Sequence, residues 1–145
     1  MIVKASYIHI TKLMPLIREL FPDGPEAHLK KEILTSILRE WEDTIMFVED
    51  GHPLGFALVA IRRDYVEGAL HSPVGYLEAI YVLEEHRHKG IASHLLKAAE
   101  EWCLEKDCIE MGSQVQIDHV FVQDFHMAQG FRRQNSYVTY VKSIS

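Results

Sequence analysis

Glu78, His126 and the run Arg87-His88-Lys89-Gly90-Ile91-Ala92-Ser93 have the residue types and spacing to do chemistry. The run lies between an apolar extended stretch, Val74 to Leu83, and a helix-patterned stretch, Ile91 to Lys106. A strand feeding a helix through a glycine turn leaves the first N–H groups of the helix without carbonyl partners. Those donors and the positive end of the helix dipole make an anion site suited to phosphate. Gly90 and Ala92 keep the approach open, and Arg87 and Lys89 add positive charge. No Gly-Lys-Ser/Thr follows, so this is not a nucleoside-triphosphate loop, and the glycine spacing is not that of a dinucleotide fingerprint.

Glu78 stands among Tyr76, Leu77, Ile80 and Val82. A carboxylate in such a strand costs free energy unless it is paired or functional. A desolvated carboxylate in such a place can accept a proton and serve as a base. On a solvated strand face it would be only a surface charge. His126, four residues before Gly130, fits a proton donor or a histidine bonded within the core. His86 and His88 lack further ligands at zinc spacing, so no metal is expected. Lys30-Lys31 and Arg62-Arg63 read as solvated charge, and Cys103 and Cys108 as small core residues.

The elements that must position these groups follow from periodicity. Ile2 to Ser6 reads as a strand. Ile10, Leu13, Met14, Ile17, Leu20 and Phe21 keep helical spacing, with Pro15 awkward unless it falls near the first turn. Leu29, Ile33, Leu34, Ile37, Leu38 and Trp41 form a second stripe. Thr44–Glu49 and Leu54–Ile61 flank Asp50-Gly51, a hairpin signal. Val74–Leu83 is the next strand, after a polar loop from Val66 to Pro73. A third helix, a strand at Ile109–Val115, a short helix at His119–Gln129 and one or two strands within Phe131–Lys142 follow. This order predicts an α/β (α+β) fold: a central mixed, mostly antiparallel sheet flanked by helices, in one domain spanning 1–145.

Bulk properties bound the function. A chain of 145 residues with 48% hydrophobic and 25% charged content is an ordinary globular protein. Its formal charge of −6 disfavours nucleic acid and suits a small cationic substrate. No leader pattern or membrane-length apolar run is seen, which predicts a cytoplasmic protein without membrane partners.

The order Arg87-x-x-Gly90-x-Ala92 after a strand, with His126-Met-Ala-Gln-Gly130-Phe131 downstream, resembles the GCN5-related N-acetyltransferases. Arg63-Asp-Tyr-Val-Glu-Gly68, Ser72-Pro-Val-Gly-Tyr-Leu-Glu-Ala-Ile-Tyr-Val82, Glu110-Met-Gly-Ser113 and Leu20-Phe21-Pro22-Asp23 narrow it to the aminoglycoside 6'-N-acetyltransferases. The resemblance implies that acetyl-coenzyme A is the donor, its pyrophosphate lying at Arg87 to Ser93. It implies that the pantetheine arm pairs with the backbone of Ile80, Tyr81 and Val82, the Val82 N–H holding the thioester oxygen. It makes Glu78 the base, directly or through water, and places His126 near the coenzyme sulfur, protonating the departing thiolate or bonding to it. Since a thiol of pKa about 8.5 already leaves readily, that help is small. His119 occupies a coenzyme-arm position usually held by Asn. Phe21, Asp23, Tyr65, Glu78 and Gln114 fall at acceptor positions. Pairing into a homodimer is implied by the same analogy.

Departures from the subgroup concern the acceptor. Phe21 replaces a usual Trp, and Ser113-Gln114 a usual Ser-Asp. Arg132-Arg133 follow Gly130-Phe131 where acids are usual. A polycationic sugar needs a negative field, which these changes weaken. The expectation is therefore direct acetyl transfer to a primary amine, with weak activity on aminoglycosides. Another small amine (polyamine, amino sugar or peptide amine) and a noncatalytic coenzyme-binding module stay open as rivals.

Overall fold

The computed structural model describes all 145 residues. They divide into two compact units, Met1–Gln114 and Val115–Ser145. In the first, β1 (Ile2–Lys4), α1 (Ile10–Leu20) and α2 (Glu26–Leu38) precede β2 (Glu42–Glu49), β3 (His52–Arg62) and β4 (Val74–Val82). Then come α3 (Ile91–Glu105) and β5 (Met111–Ser113). The second unit holds α4 (Val120–Ala128). The strands form one sheet in the order β1-β2-β3-β4-β5, antiparallel except for the parallel β4–β5 pair. The mixed, mostly antiparallel sheet read from the sequence is what forms.

The hairpin turns where Asp50-Gly51 predicts, with φ of 52° and 75°. Both central residues are left-handed, the conformation that matches the twist of the flanking strands. α1 buries Ile10, Leu13, Met14, Leu16 and Ile17 in a cluster with Met46 and Phe56. Pro15 lies in its interior, so the helix forgoes one backbone bond, which this burial outweighs. α3 covers the sheet's other face with Leu95, Leu96, Ala99, Trp102 and Cys103. It approaches so closely at Gly75 that a Cβ there would collide with Sγ of Cys103. Burial pushes the Cys103 thiol up to about 12, so it is no nucleophile at neutral pH.

Three expectations are corrected. The second stripe overreaches: α2 ends at Leu38, Ile33 is its only fully buried residue, and Trp41 lies outside it beneath the Arg39 guanidinium, 5.5 Å from the ring centroid. β5 is three residues long, not the whole of Ile109–Val115. No strand forms within Phe131–Lys142, where Tyr137, Val138, Tyr140 and Val141 are exposed. β-propensity makes a strand only where a partner strand takes up its hydrogen bonds, and no strand pairs with that segment. No helix is long and apolar enough to cross a membrane.

Candidate active site

Glu78 sits on a β-bulge. Val59 pairs with Leu77 and Leu58 with Ala79, so Glu78 has no partner on β3. The extra residue reverses the alternation of side chains. Before it, odd-numbered Gly75 faces Cys103 of α3; after it, odd-numbered Ala79 and Tyr81 pack on the α1 cluster. Bulges re-aim side chains in this way and recur beside active sites. The carboxylate is 37% exposed and takes two bonds from Nη2 of Arg62, at 3.0 and 3.2 Å. Two expectations change here. Glu78 is not in a covered strand, because the bulge turns it outward, and Arg62 is not a merely solvated charge. The Arg62 guanidinium stacks 3.4 Å from the centroid of the buried Tyr76 ring.

The sheet opens beside Glu78. β4 and β5 pair only from Gly75↔Met111 to Leu77↔Ser113, and Ser113 Oγ donates to Leu77 O at 3.2 Å at the end of that pairing. β4 continues alone with β3 as far as Gly55↔Val82. Leu83 N–H donates to Leu54 O of that hairpin. Strand alternation therefore turns the N–H groups of Ile80 and Val82 away from β3, to the edge that β5 has left. Arg87 Nε donates to Val82 O at 2.9 Å, tying the following loop to this edge. The Tyr81 side chain points instead toward α1, its hydroxyl donating to Glu19. Burial and then the Glu19 carboxylate push the Tyr81 phenol up to about 12, so it remains a donor.

The turn into α3 has the shape the sequence suggests. His88 and Gly90 both take left-handed φ, 62° and 83°, and Gly90 is the N-cap of α3. The first helical turn, from Ile91, has no preceding turn of carbonyls to bond. A Cβ at Gly90 would meet only the His94 ring, at 3.9 Å. The space before the helix is open, with Arg87, His88 and Lys89 leading into it. A helix N-terminus with a clear approach and flanking cations fits a pyrophosphate, and the unpaired Ile80–Val82 edge fits an amide-bearing arm.

Phe21 and Asp23 lie in the turn between α1 and α2, both exposed. Beside them a groove of about 430 Å³ is lined by Met14, Pro15, Arg18, Glu19, Pro22 and Glu26. Tyr65 is 85% exposed in the loop before β4, beside a second groove of about 280 Å³. Glu110 holds that loop: its Oε1 accepts from Leu70 N (2.9 Å), His71 N (2.8 Å) and His71 Nδ1 (2.8 Å). The His71 bond, with those backbone bonds, draws the Glu110 carboxyl below its usual range. Gln114 is exposed just beyond β5. No hydrogen bond or ion pair joins Phe21, Asp23, Tyr65 or Gln114 to Glu78, whose polar partner is Arg62.

In the second unit, His126 is buried on α4. Its Nδ1 lies 2.8 Å from Val122 O and its ring 4.8 Å from that of Phe131. A carbonyl only accepts, so Nδ1 carries the hydrogen, and the neutral ring has none on Nε2. In that tautomer the histidine orients or accepts; it donates at Nε2 only as the cation. His119 is the exposed N-cap of α4.

Reading by sequence missed Arg62, Glu19 and Glu110 as parts of this region. In the sequence Glu110 stands only as one residue of a motif, and Glu19 carries no signal. Arg62 stands at the end of a strand, in register with Val74 and so two residues from Tyr76, which could have raised it.

Comparison with known proteins agrees with this geometry. Residues 10–131 match the Acetyltransferase (GNAT) family. The chain is 35% identical over 137 residues to an aminoglycoside N(6')-acetyltransferase type 1 of Salmonella typhimurium, covering 92% of each. It is similar to the crystal structure of the aminoglycoside antibiotic 6'-N-acetyltransferase AAC(6')-IG of Acinetobacter haemolyticus, with a TM-score of 0.91, 30% identity and coverage of 100% and 99%. It is also similar to the aminoglycoside N-acetyltransferase AAC(6')-Iy in complex with CoA, with a TM-score of 0.89, 34% identity and coverage of 98% and 93%. The chain belongs to the GNAT family. It is an N-acetyltransferase whose donor is acetyl-coenzyme A.

Proposed function

We propose that the whole chain acts as one N-acetyltransferase domain on a primary amine of an amino sugar of the aminoglycoside class. The observation that carries this reading is the parting of β4 from β5 at the Glu78 bulge. It leaves a carboxylate, an unpaired strand edge and a helix N-terminus consecutive along the chain. The coenzyme, held along Ile80–Val82 and at Arg87–Ser93, supplies a thioester carbonyl. Glu78 takes the proton of the acceptor amine, and the Val82 N–H faces the oxygen that gains charge. The amine attacks directly, since the buried Cys103 thiol is unreactive. His126, as the cation, donates from Nε2 to the departing sulfur, and His119 bonds at the coenzyme arm. Phe21, Asp23, Tyr65 and Gln114 border the acceptor. Homodimer formation is supported by the exposed apolar Tyr137, Val138, Tyr140 and Val141. A monomer mass by light scattering would refute it. The free cysteines Cys103 and Cys108 accord with a cytoplasmic location, which cell fractionation checks.

Thiol release from acetyl-coenzyme A across a panel of amines tests the reaction. Acetylated amino sugar should form, with kanamycin-type substrates turned over slowly. Gln114→Asp restores a carboxylate worth roughly 1.5–3 kcal/mol when bonded to an ammonium. It should raise kcat/KM on kanamycin by about tenfold or more and leave a sugar monoamine nearly unchanged. High kcat/KM of the unmodified protein on kanamycin would show that Gln114 does not limit it.

A further inference from the structure

We infer that Arg62 is a charge gate on Glu78, holding the place of the acceptor's ammonium and selecting against acceptors that bring several positive charges. The inference rests on the acetyl-transfer reading and deepens it. Arg62 is the last residue of β3 and pairs in register with Val74. Its side chain runs along β4 to Glu78, past Tyr76. The guanidinium is fixed in two ways. Its Cζ lies 3.4 Å from the centroid of the Tyr76 ring, and its Nη2 meets both oxygens of Glu78.

The ring beneath it is itself fixed. Tyr76 is 7% exposed and pairs with Gly112, where an added Cβ would lie 3.0 Å from the ring. The glycine thus leaves room for the aromatic platform that carries the arginine. A planar cation held between a ring and a carboxylate is poorly imitated by lysine in geometry, but lysine keeps the charge.

The consequence is electrostatic. Arg62 cancels the one carboxylate assigned to the amine, so the free enzyme offers no net negative charge there. An arriving ammonium must share Glu78 with the guanidinium or displace it. Both side chains are about two-fifths exposed, so displacement is accessible rather than prohibitive. Each additional positive charge on the acceptor adds repulsion from Arg62. Among amino sugars, the arrangement favours the acceptor that carries the fewest amines.

Kinetics with Arg62→Gln and Arg62→Lys on glucosamine and on neamine test the gate. Arg62→Gln should lower KM for neamine by about tenfold and for glucosamine by about threefold, as expected for one charge removed at short range in partly wet surroundings. Arg62→Lys should keep both KM values within about threefold of the parent. Arg62→Met, which retains apolar contact with Tyr76, serves if the glutamine variant melts early. An equal change of KM for the two sugars, or a lysine variant that behaves like the glutamine one, would overturn the gate. So would a loss confined to kcat for both sugars. If the unmodified protein acetylates no amine, the acetyl-transfer reading fails instead. Calorimetric binding of neamine to the parent and Arg62→Gln proteins still reads the gate in that case, with equal affinities refuting it.

Discussion

From Val74 to Leu77, strand β4 lies between β3 and β5, and its side chains are buried. From Glu78 to Val82 it pairs with β3 alone; Glu78 is exposed, and Ala79, Ile80 and Tyr81 are half-buried. One continuous strand thus changes from scaffold to site within a single residue. The closed half has strands on both sides and α3 against it. The open half keeps backbone donors in reserve. The bulge lets the two coexist, because one unpaired residue changes the direction of the following side chains without ending the strand.

Substitutions in the two halves should separate fold from chemistry. Gly75→Leu drives a side chain into Cys103 with backbone close by, and should cost about 3 kcal/mol or more in urea unfolding. Glu78→Gln should do the reverse. Turnover should fall about a hundredfold, the usual range for a general base, while stability changes by less than about 1 kcal/mol and coenzyme affinity holds. Equal turnover of the two proteins across pH would remove Glu78 from the chemistry. His126→Phe should cost less than Glu78→Gln, because the leaving thiolate needs little help.

Gly90→Glu places a charge and a strained left-handed residue at the α3 N-terminus. Acetyl-coenzyme A affinity by calorimetry should drop about tenfold or more, whereas Gly90→Asn, which tolerates that conformation, should lose much less. Unchanged affinity in the glutamate variant would move the pyrophosphate elsewhere. The smallest effect belongs to the loop before β4. Glu110→Gln weakens its hold on Leu70 and His71 and should raise acceptor KM a few-fold with kcat nearly kept. Because the Glu110 carboxyl lies below its usual range, its contribution is full above the unfolded carboxylate pKa and is lost as pH falls through the lowered value. The protection factors of the Leu70 and His71 amides should therefore hold at pH 5 and fall only in stronger acid. Early loss of protection would contradict that.

Much of the scaffold was legible because its signals are local. Asp50-Gly51 allows the two positive φ values that its hairpin needs. The α1 and α3 stripes repeat at helical spacing, and Gly90 marks the α3 cap. The same local reading overreached where a signal needs a distant partner. Trp41 continued a helical stripe that packing did not use, and Val138 and Tyr140 carried strand propensity that no pairing takes up. Glu78 was legible as an oddity, but its bulge was not, since a bulge is a mismatch of register between two strands far apart in sequence.

The sequence by itself carried the family resemblance that implies the acetyltransferase class and its donor, and it marked the glycine turn into α3, because motifs and turns are local. Only the tertiary structure decided that β5 stops at Ser113, that β4 is bare beyond it, and that Arg62 pairs with Glu78. Those features arise from contacts between β3, β4 and β5, and a pairwise contact across a sheet leaves no periodic trace in any one of its strands.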